Sequence, residues 1–141
     1  MGTIRRFVMM LAAGTALAAA ADAQARSQAI VTHENVAISL TAEGKPYTLD
    51  QIKRAIIQAA STKAWSGSVQ GANTVRATYT RGKHSAVVDI VFSESNYTIK
   101  YVDSHDLGYT ERDGRTLIHP TYNKAVSTLR QSIDAALRTI T

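Results

Sequence analysis

Residues 48–63 carry a clear helical pattern. Thr48 and Gln51 have the spacing of a capping box, in which the side chains and backbone N–H groups of the two residues bond reciprocally. Apolar residues at intervals of three and four then predict a helix from about Leu49 to Lys63. Trp65, the only tryptophan, follows it and is interpreted as a lid on the core rather than a carbohydrate platform. The apolar face of the predicted helix consists of Ile52, Ala55, Ile56, Ala59 and Ala60.

A second helical pattern closes the chain. Pro120 fits the first turn of a helix, because a residue in that position needs no N–H group. Helical spacing then continues to the end of the sequence, which predicts a long amphipathic helix. Its apolar stripe consists of Tyr122, Val126, Leu129, Ile133, Ala136, Leu137 and Ile140.

Between the two helices the pattern alternates, which is typical of strands. Short turns separate the strands, so that neighbours along the chain are expected to pair antiparallel. The run His84–Ser93 is apolar on both faces and is predicted to be central. Residues 103–117 are polar, contain two glycines and are predicted to form a loop. The predicted strands are Val36–Leu40, Trp65–Val69, Val75–Thr80, His84–Ser93 and Tyr97–Tyr101.

These elements predict an α+β domain in the order β-α-β-β-β-α. An antiparallel three- to four-stranded meander is expected to hold both helices on one face, because each amphipathic helix needs an apolar partner. The opposite face is then expected to expose Val87 and Val91 beside Arg76 and Asp89.

The beginning of the chain has the layout of a secretory signal peptide. Arg5 and Arg6 precede an apolar run from Phe7 to Ala21, and small residues follow at Ala23 and Ala25. The run has fifteen residues, whereas a membrane span needs roughly 20. We therefore expect a leader, residues 1–25, cleaved near Ala23 or Ala25, and a periplasmic protein that does not span the membrane after cleavage. The twin-arginine and general export routes both remain open. After the leader, residues 26–35 are predicted to be a flexible tether and residues 36–141 a single domain.

Composition narrows the classes of partner. The sequence has no cysteine, so stability must come from the core rather than from disulfides. The formal net charge is +5, and loss of the leader would reduce it to +4. The basic residues are scattered along the chain, which favours a role in solubility over a role in binding anionic envelope surfaces. The sequence has no basic stripe, and the expected periplasmic location does not suit nucleic-acid binding. A nucleic-acid partner is therefore not expected.

One polar cluster is dense enough to carry a function. We interpret it as a latch that fastens the predicted loop to the start of the closing helix. A metal site at His105, Asp106 and His119 is chemically permissible, but the spacing is not that of a known ligand motif. The sequence therefore predicts no catalytic, cofactor-binding or metal-binding residue. The cluster consists of Asp103, Ser104, His105, Asp106, His119, Tyr122 and Asn123.

The same region resembles a known family. The runs at residues 101–104, 107–109, 118–119 and 122–123 are similar to the C-terminal signature of a family of small proteobacterial envelope proteins, many of them classed as lipoproteins. The resemblance extends over roughly residues 48–129. This chain departs from the family at Asp106, at Ala125 and in lacking the lipid-bearing cysteine. The resemblance implies an envelope location and a single small domain, and it implies no activity.

Two functions from different classes follow as hypotheses. The first is a non-enzymatic periplasmic domain that binds an unidentified partner or ligand of the cell envelope, through the open sheet face or residues 103–123. The alternative is a small metal-dependent or hydrolytic enzyme that uses His105, His119 and nearby carboxylates. A third hypothesis is weak self-association through an exposed strand edge.

Overall fold

The structure is a computed structural model and describes residues 27–140. The predicted leader therefore lies outside the described residues. Within them, two helices and eight strands follow in this order: β1 (Gln28–Ala29), β2 (His33–Ala37), α1 (Leu49–Ala59), β3 (Trp65–Gly71), β4 (Thr74–Arg81), β5 (His84–Phe92), β6 (Asn96–His105), β7 (Thr110–Arg112), β8 (Arg115–Ile118) and α2 (Pro120–Thr139).

The larger sheet has five antiparallel strands. Its order is β2-β6-β5-β4-β3, so the four strands that follow α1 pair consecutively and β2 is added beside β6. The predicted class, α+β with two helices and antiparallel strands, is confirmed. The predicted order is only partly matched, because it lacked the strands of a second sheet.

That second sheet has the order β1-β8-β7. The prediction of a loop over residues 103–117 is wrong, because β6 extends to His105 and β7 and β8 form a hairpin. Asp113 and Gly114 connect the hairpin and have φ values of 53° and 73°. Positive φ at both central residues is what a tight turn between twisted strands requires, and Asp-Gly is a favoured sequence for it.

The segment predicted as a tether contains β1 and most of β2. Gln28 and Ala29 pair with Ile118 and Leu117 of β8. Further along, β2 pairs with β6, with an irregularity in register between His33 and Val36. Residues 28–37 therefore join both sheets. The physical reason is that β8 and β6 each offer a free edge, which a polar segment can cover with backbone hydrogen bonds.

Both helices begin at side-chain caps. The predicted capping box of α1 is present: the Gln51 N–H donates to Thr48 Oγ1 at 3.1 Å and the Thr48 N–H donates to Gln51 Oε1 at 2.9 Å. Pro120 occupies the first turn of α2, and His119 is the N-cap residue. Local chemistry thus determines where each helix starts.

The core lies between one face of the larger sheet and the buried faces of α1 and α2. Alternate residues of each strand point to this face, since side chains in a strand alternate between the two sides. The buried side chains that the sheet contributes are Trp65, Val75, Ala77, Tyr79, Ala86, Val88, Ile90, Phe92, Tyr97 and Ile99.

The opposite face of the larger sheet is mainly polar. Arg76 and Asp89 are cross-strand neighbours and form a two-pronged ion pair, with Nε–Oδ1 at 2.8 Å and Nη2–Oδ2 at 3.0 Å. Val87 and Val91 are half-buried on this face. Among residues 27–140, no helix is long and apolar enough to cross a membrane.

Candidate functional site

The seven predicted site residues lie near one another around the end of β6 and the start of α2. Asp103, Ser104 and His105 are the last residues of β6, and Asp106 follows them with a φ of 58°. The remaining three are His119, Tyr122 and Asn123, at the N-cap and in the first turn of α2.

The carboxylate and hydroxyl at the end of β6 bond to groups on their own strand. Asp103 Oδ1 accepts a hydrogen bond from the Ser104 N–H at 2.8 Å. Ser104 Oγ lies 2.8 Å from the Tyr101 hydroxyl. Within the described residues no hydrogen bond joins Ser104 to a histidine, so Ser104 does not have the adjacent base of an activated serine nucleophile in this geometry.

His119 ties the start of α2 to the end of the β6 region. Its Nδ1 accepts from the Thr121 N–H at 3.1 Å, which leaves the ring proton of the neutral imidazole on Nε2. The His119 N–H donates to the Leu107 carbonyl at 2.8 Å. The ring also stacks on His84, with centroids 5.8 Å apart, and His84 Nδ1 lies 2.8 Å from the Asp106 carbonyl.

Tyr122 contributes mainly packing to this region. Its ring is buried and meets Tyr101 edge-on, with centroids 5.7 Å apart, while Tyr101 stacks on Tyr109 at 4.4 Å. No hydrogen bond in the described part of the chain connects the Tyr122 hydroxyl to residues 103–106. Burial raises the pKa of the Tyr122 phenol above its usual range, and the neighbouring Tyr101 adds to the shift.

Asn123 holds the N-terminal segment instead of the predicted loop. Its Oδ1 accepts from the Val31 N–H at 3.0 Å, and its Nδ2 donates to the Ala29 carbonyl at 2.9 Å. The side-chain amide of Asn123 therefore accepts from one backbone group and donates to another, as the backbone of a neighbouring strand would. His119 and Asn123 thus make separate contacts, the first with Thr121 and Leu107 and the second with Ala29 and Val31.

A second polar network joins α2 to the sheet. The Tyr97 hydroxyl donates to Asp134 Oδ1 at 2.6 Å, and Asp134 Oδ2 lies 3.8 Å from Arg130 Nε. Arg130 Nη1 lies 3.3 Å from Nδ1 of His33 on β2. Burial and the hydrogen bond to Asp134 raise the pKa of Tyr97, while burial and the charge of Arg130 lower the pKa of His33.

The two buried tyrosines give a matched test of these contacts. Tyr97→Phe is expected to lower the free energy of unfolding by about 1.5 kcal/mol, because it removes a hydrogen bond to a carboxylate. Tyr122→Phe is expected to change it by less than about 0.5 kcal/mol, since no hydrogen bond is lost. Urea unfolding at neutral pH measures both. An equal loss in the two variants would show that Tyr122 also holds a hydrogen bond in solution.

No group of three or more histidine, cysteine or acidic side chains within residues 27–140 is arranged to hold a metal ion. His105 is exposed at the end of β6, whereas His119 already uses Nδ1 to cap α2. The structure thus brings the predicted residues into one region without joining them into a metal centre.

A basic cleft lies beside this region. It has a volume of about 360 Å³ and is lined by Lys63, Arg81 and Lys124, with the rings of Trp65 and Tyr79 at its base. The two rings pack with centroids 5.4 Å apart and are each 6% exposed. No carboxylate lines the cleft, and none of the three cations forms an ion pair within the described residues.

Three separate parts of the chain bring these cations together. Lys63 lies in the connection between α1 and β3, with a φ of 58°. Arg81 is the last residue of β4, and Lys124 lies in the first turns of α2, one turn before Thr128. The basic residues are scattered along the sequence and no local pattern marks these three, because only the folded chain places them around one cleft.

The predicted interpretation of Trp65 agrees with its position. The ring is buried at the start of β3 and contacts Tyr79, as expected of a residue that covers the core. One side of it nevertheless lines the basic cleft. We refer to this cleft, with Lys63, Arg81, Lys124 and its aromatic base, as the basic cleft.

The comparisons with family models and curated proteins assign no role to the residues of this site. No protein-family model matches the chain, and no curated protein matches it.

Proposed function

We propose that this protein is a non-enzymatic binding domain of the bacterial cell envelope and that it holds an anionic ligand in the basic cleft. The observation that carries the proposal is the convergence of Lys63, Arg81 and Lys124 on a cleft without a carboxylate. The exported, periplasmic location and the resemblance to small envelope proteins are predictions from the sequence, and the proposal agrees with both.

Charge is the first argument for an anionic ligand. Three cations around one cleft repel one another, and an anion between them would relieve that repulsion. Charge-assisted hydrogen bonds from lysine and arginine to phosphate or carboxylate oxygens are also stronger than neutral ones. Thr121 and Thr128 line the same cleft and add hydroxyl groups to its wall.

The aromatic base of the cleft is the second argument. Trp65 and Tyr79 line the same cleft as the cations and leave a small part of their rings exposed there. A small phosphorylated ligand, such as a sugar phosphate, would place its phosphate among the cations and an apolar part of its surface against this exposed part. Such groups occur at envelope surfaces, which links the cleft to the predicted location.

Trp65 provides a direct measurement, because it is the only tryptophan and lies in the cleft. Titrating the purified protein with glucose 6-phosphate is expected to change the tryptophan emission along a saturable curve. Removing Arg81 and Lys124 together, as Arg81→Ala with Lys124→Ala, is expected to weaken binding about tenfold for each cation lost. Added sodium chloride should weaken it further, since salt screens exposed charges.

Two controls separate a specific site from general charge. Glucose without the phosphate should leave the emission unchanged. Lys45→Ala with Lys100→Ala removes the same number of cations at exposed positions outside the cleft and should leave the affinity unchanged. Equal loss of affinity in both double variants, or no emission change at millimolar ligand, would contradict the proposal.

A further inference from the structure

A larger cleft lies on the other side of the molecule, between β2 and the C-terminal half of α2. Its volume is about 600 Å³. Residues 36–40 line one side of it, and residues of α2 line the other. The lining includes Ala37, Ser39, Leu40, Arg130, Asp134 and Arg138.

Residues 36 and 37 belong to a free sheet edge, because β2 is the outermost strand of the larger sheet. The Ile38 N–H donates to the Ser95 carbonyl at 2.9 Å, so the backbone N–H of Ile38 points toward the chain that follows β5 and precedes β6. Backbone groups of successive residues in an antiparallel strand point in opposite directions. The N–H and C=O groups of Ala37, the last residue of β2, therefore point outward. Ala37 lines the cleft, and so does Ser39 beyond the end of the strand.

The side of the cleft lined by α2 carries a surplus of positive charge. Asp134 is the one carboxylate among the lining residues, and Tyr97 and Arg130 already occupy its two oxygens. Arg138 is exposed and forms no ion pair within the described residues. Leu40, 59% exposed, adds an apolar surface beside these charges.

We propose that this cleft binds an extended peptide segment with an acidic side chain or a C-terminal carboxylate, by adding it as a sixth strand beside β2. The outward groups of Ala37 would bond to the peptide backbone, and Arg138 would bind its carboxylate. The irregularity between His33 and Val36 limits the straight part of this edge to a few residues. A short peptide is therefore sufficient to fill it.

The test uses an acetylated six-residue peptide of alternating valine and threonine that ends in glutamate, labelled for fluorescence anisotropy. Ala37→Pro removes an outward N–H and is expected to weaken binding about tenfold. Proline is tolerated on edge strands when its nitrogen faces outward. Val69→Pro is the matched control, because the bond from the Thr80 N–H to the Ala64 carbonyl leaves the Val69 N–H outward on the opposite edge.

Two further measurements do not depend on the folding of the Ala37→Pro variant. A peptide with methylated backbone nitrogens should bind the unmodified protein about tenfold more weakly, since it lacks the main-chain donors. Replacing the glutamate by lysine should weaken binding to the unmodified protein. Arg138→Ala should reduce the ratio of the affinities for the glutamate and lysine peptides about twofold to fivefold, as expected of an exposed ion pair. Arg112→Ala should leave this ratio unchanged.

Three outcomes would overturn the proposal. Equal binding of the methylated and unmethylated peptides would exclude strand addition. Equal binding to Ala37→Pro and Val69→Pro would exclude β2 as the edge. Absence of peptide binding, together with a dimer that Ala37→Pro converts to a monomer in sedimentation, would assign the edge to a second copy of this chain.

Discussion

Raising the pH above about 10 is expected to unfold this protein steeply, because Tyr97 and Tyr122 are held in their neutral form in the fold. Burial raises the pKa of both phenols above the ordinary value of 10.0, with further contributions from Asp134 and Tyr101 respectively. In the unfolded chain these phenols lose their protons near the ordinary value. The stability is therefore fully present below that pH and is lost as the pH rises toward the raised native values.

The expected slope follows from proton linkage. Each phenol that is protonated only in the folded state lowers the free energy of unfolding by about 1.4 kcal/mol per pH unit above 10. Urea unfolding curves at a series of alkaline pH values measure the slope. Tyr122→Phe should remove the contribution of that phenol while leaving stability at neutral pH almost unchanged. A pH-independent free energy above 10, or titration of Tyr97 and Tyr122 with the exposed phenols in the native ultraviolet spectrum, would contradict this interpretation.

Ile90→Ala is expected to lower the free energy of unfolding by about 3 kcal/mol, whereas Val91→Ala is expected to lower it by less than about 1 kcal/mol. The two residues are neighbours on the central strand β5 and are both β-branched and apolar. Ile90 is 0% exposed and faces the helices, so truncation leaves a cavity in the core. Val91 lies half-buried on the open face, where water can fill the space that truncation leaves.

Chemical denaturation of both variants gives the comparison, and Val87→Ala serves as a second reference on the open face. Equal losses at Ile90 and Val91 would mean that the open face is covered in solution. The mass of the protein in solution would then distinguish two explanations. A dimer would indicate a second copy on that face, and a monomer would indicate that the helices pack differently. The comparison therefore tests which side of the sheet the core occupies.

The two proposed binding regions share one helix. Thr121, Lys124 and Thr128 on the first half of α2 line the basic cleft, whereas Arg130 and Arg138 on its second half line the cleft beside β2. The apolar stripe of α2 packs into the core between these regions. The polar flanks of a helix that stabilises the fold are thus available for two separate ligands.

Several elements could be predicted because their signals are local. The capping box of Thr48 and Gln51 and the proline of α2 act on residues within one turn, so they are readable in any sequence. The hairpin of β7 and β8 also had a local signal in Asp113 and Gly114, although the polar composition around it concealed the strands.

The strands at the beginning of the domain had only a partial local signal, because alternation predicted a strand at Val36–Leu40 and β2 lies at His33–Ala37. Residues 28–37 form strands because β8 and β6 have free edges, and those edges exist only after folding. Asn123 shows the same limit, since its partners Ala29 and Val31 lie more than ninety positions away. Hydrophobic periodicity reports which face of a segment is apolar, but it does not report which distant segment will pair with it.

By itself, the sequence determined the helix starts, the α+β class and the alternation of the central strands, because caps and periodicity are properties of neighbouring residues. Only the tertiary structure decided that Leu107, within the segment predicted as a polar loop, is buried and that Lys63, Arg81 and Lys124 surround one cleft. The reason is physical. Charge convergence and burial depend on distances through space, and segments far apart in the chain acquire those distances only when the core assembles.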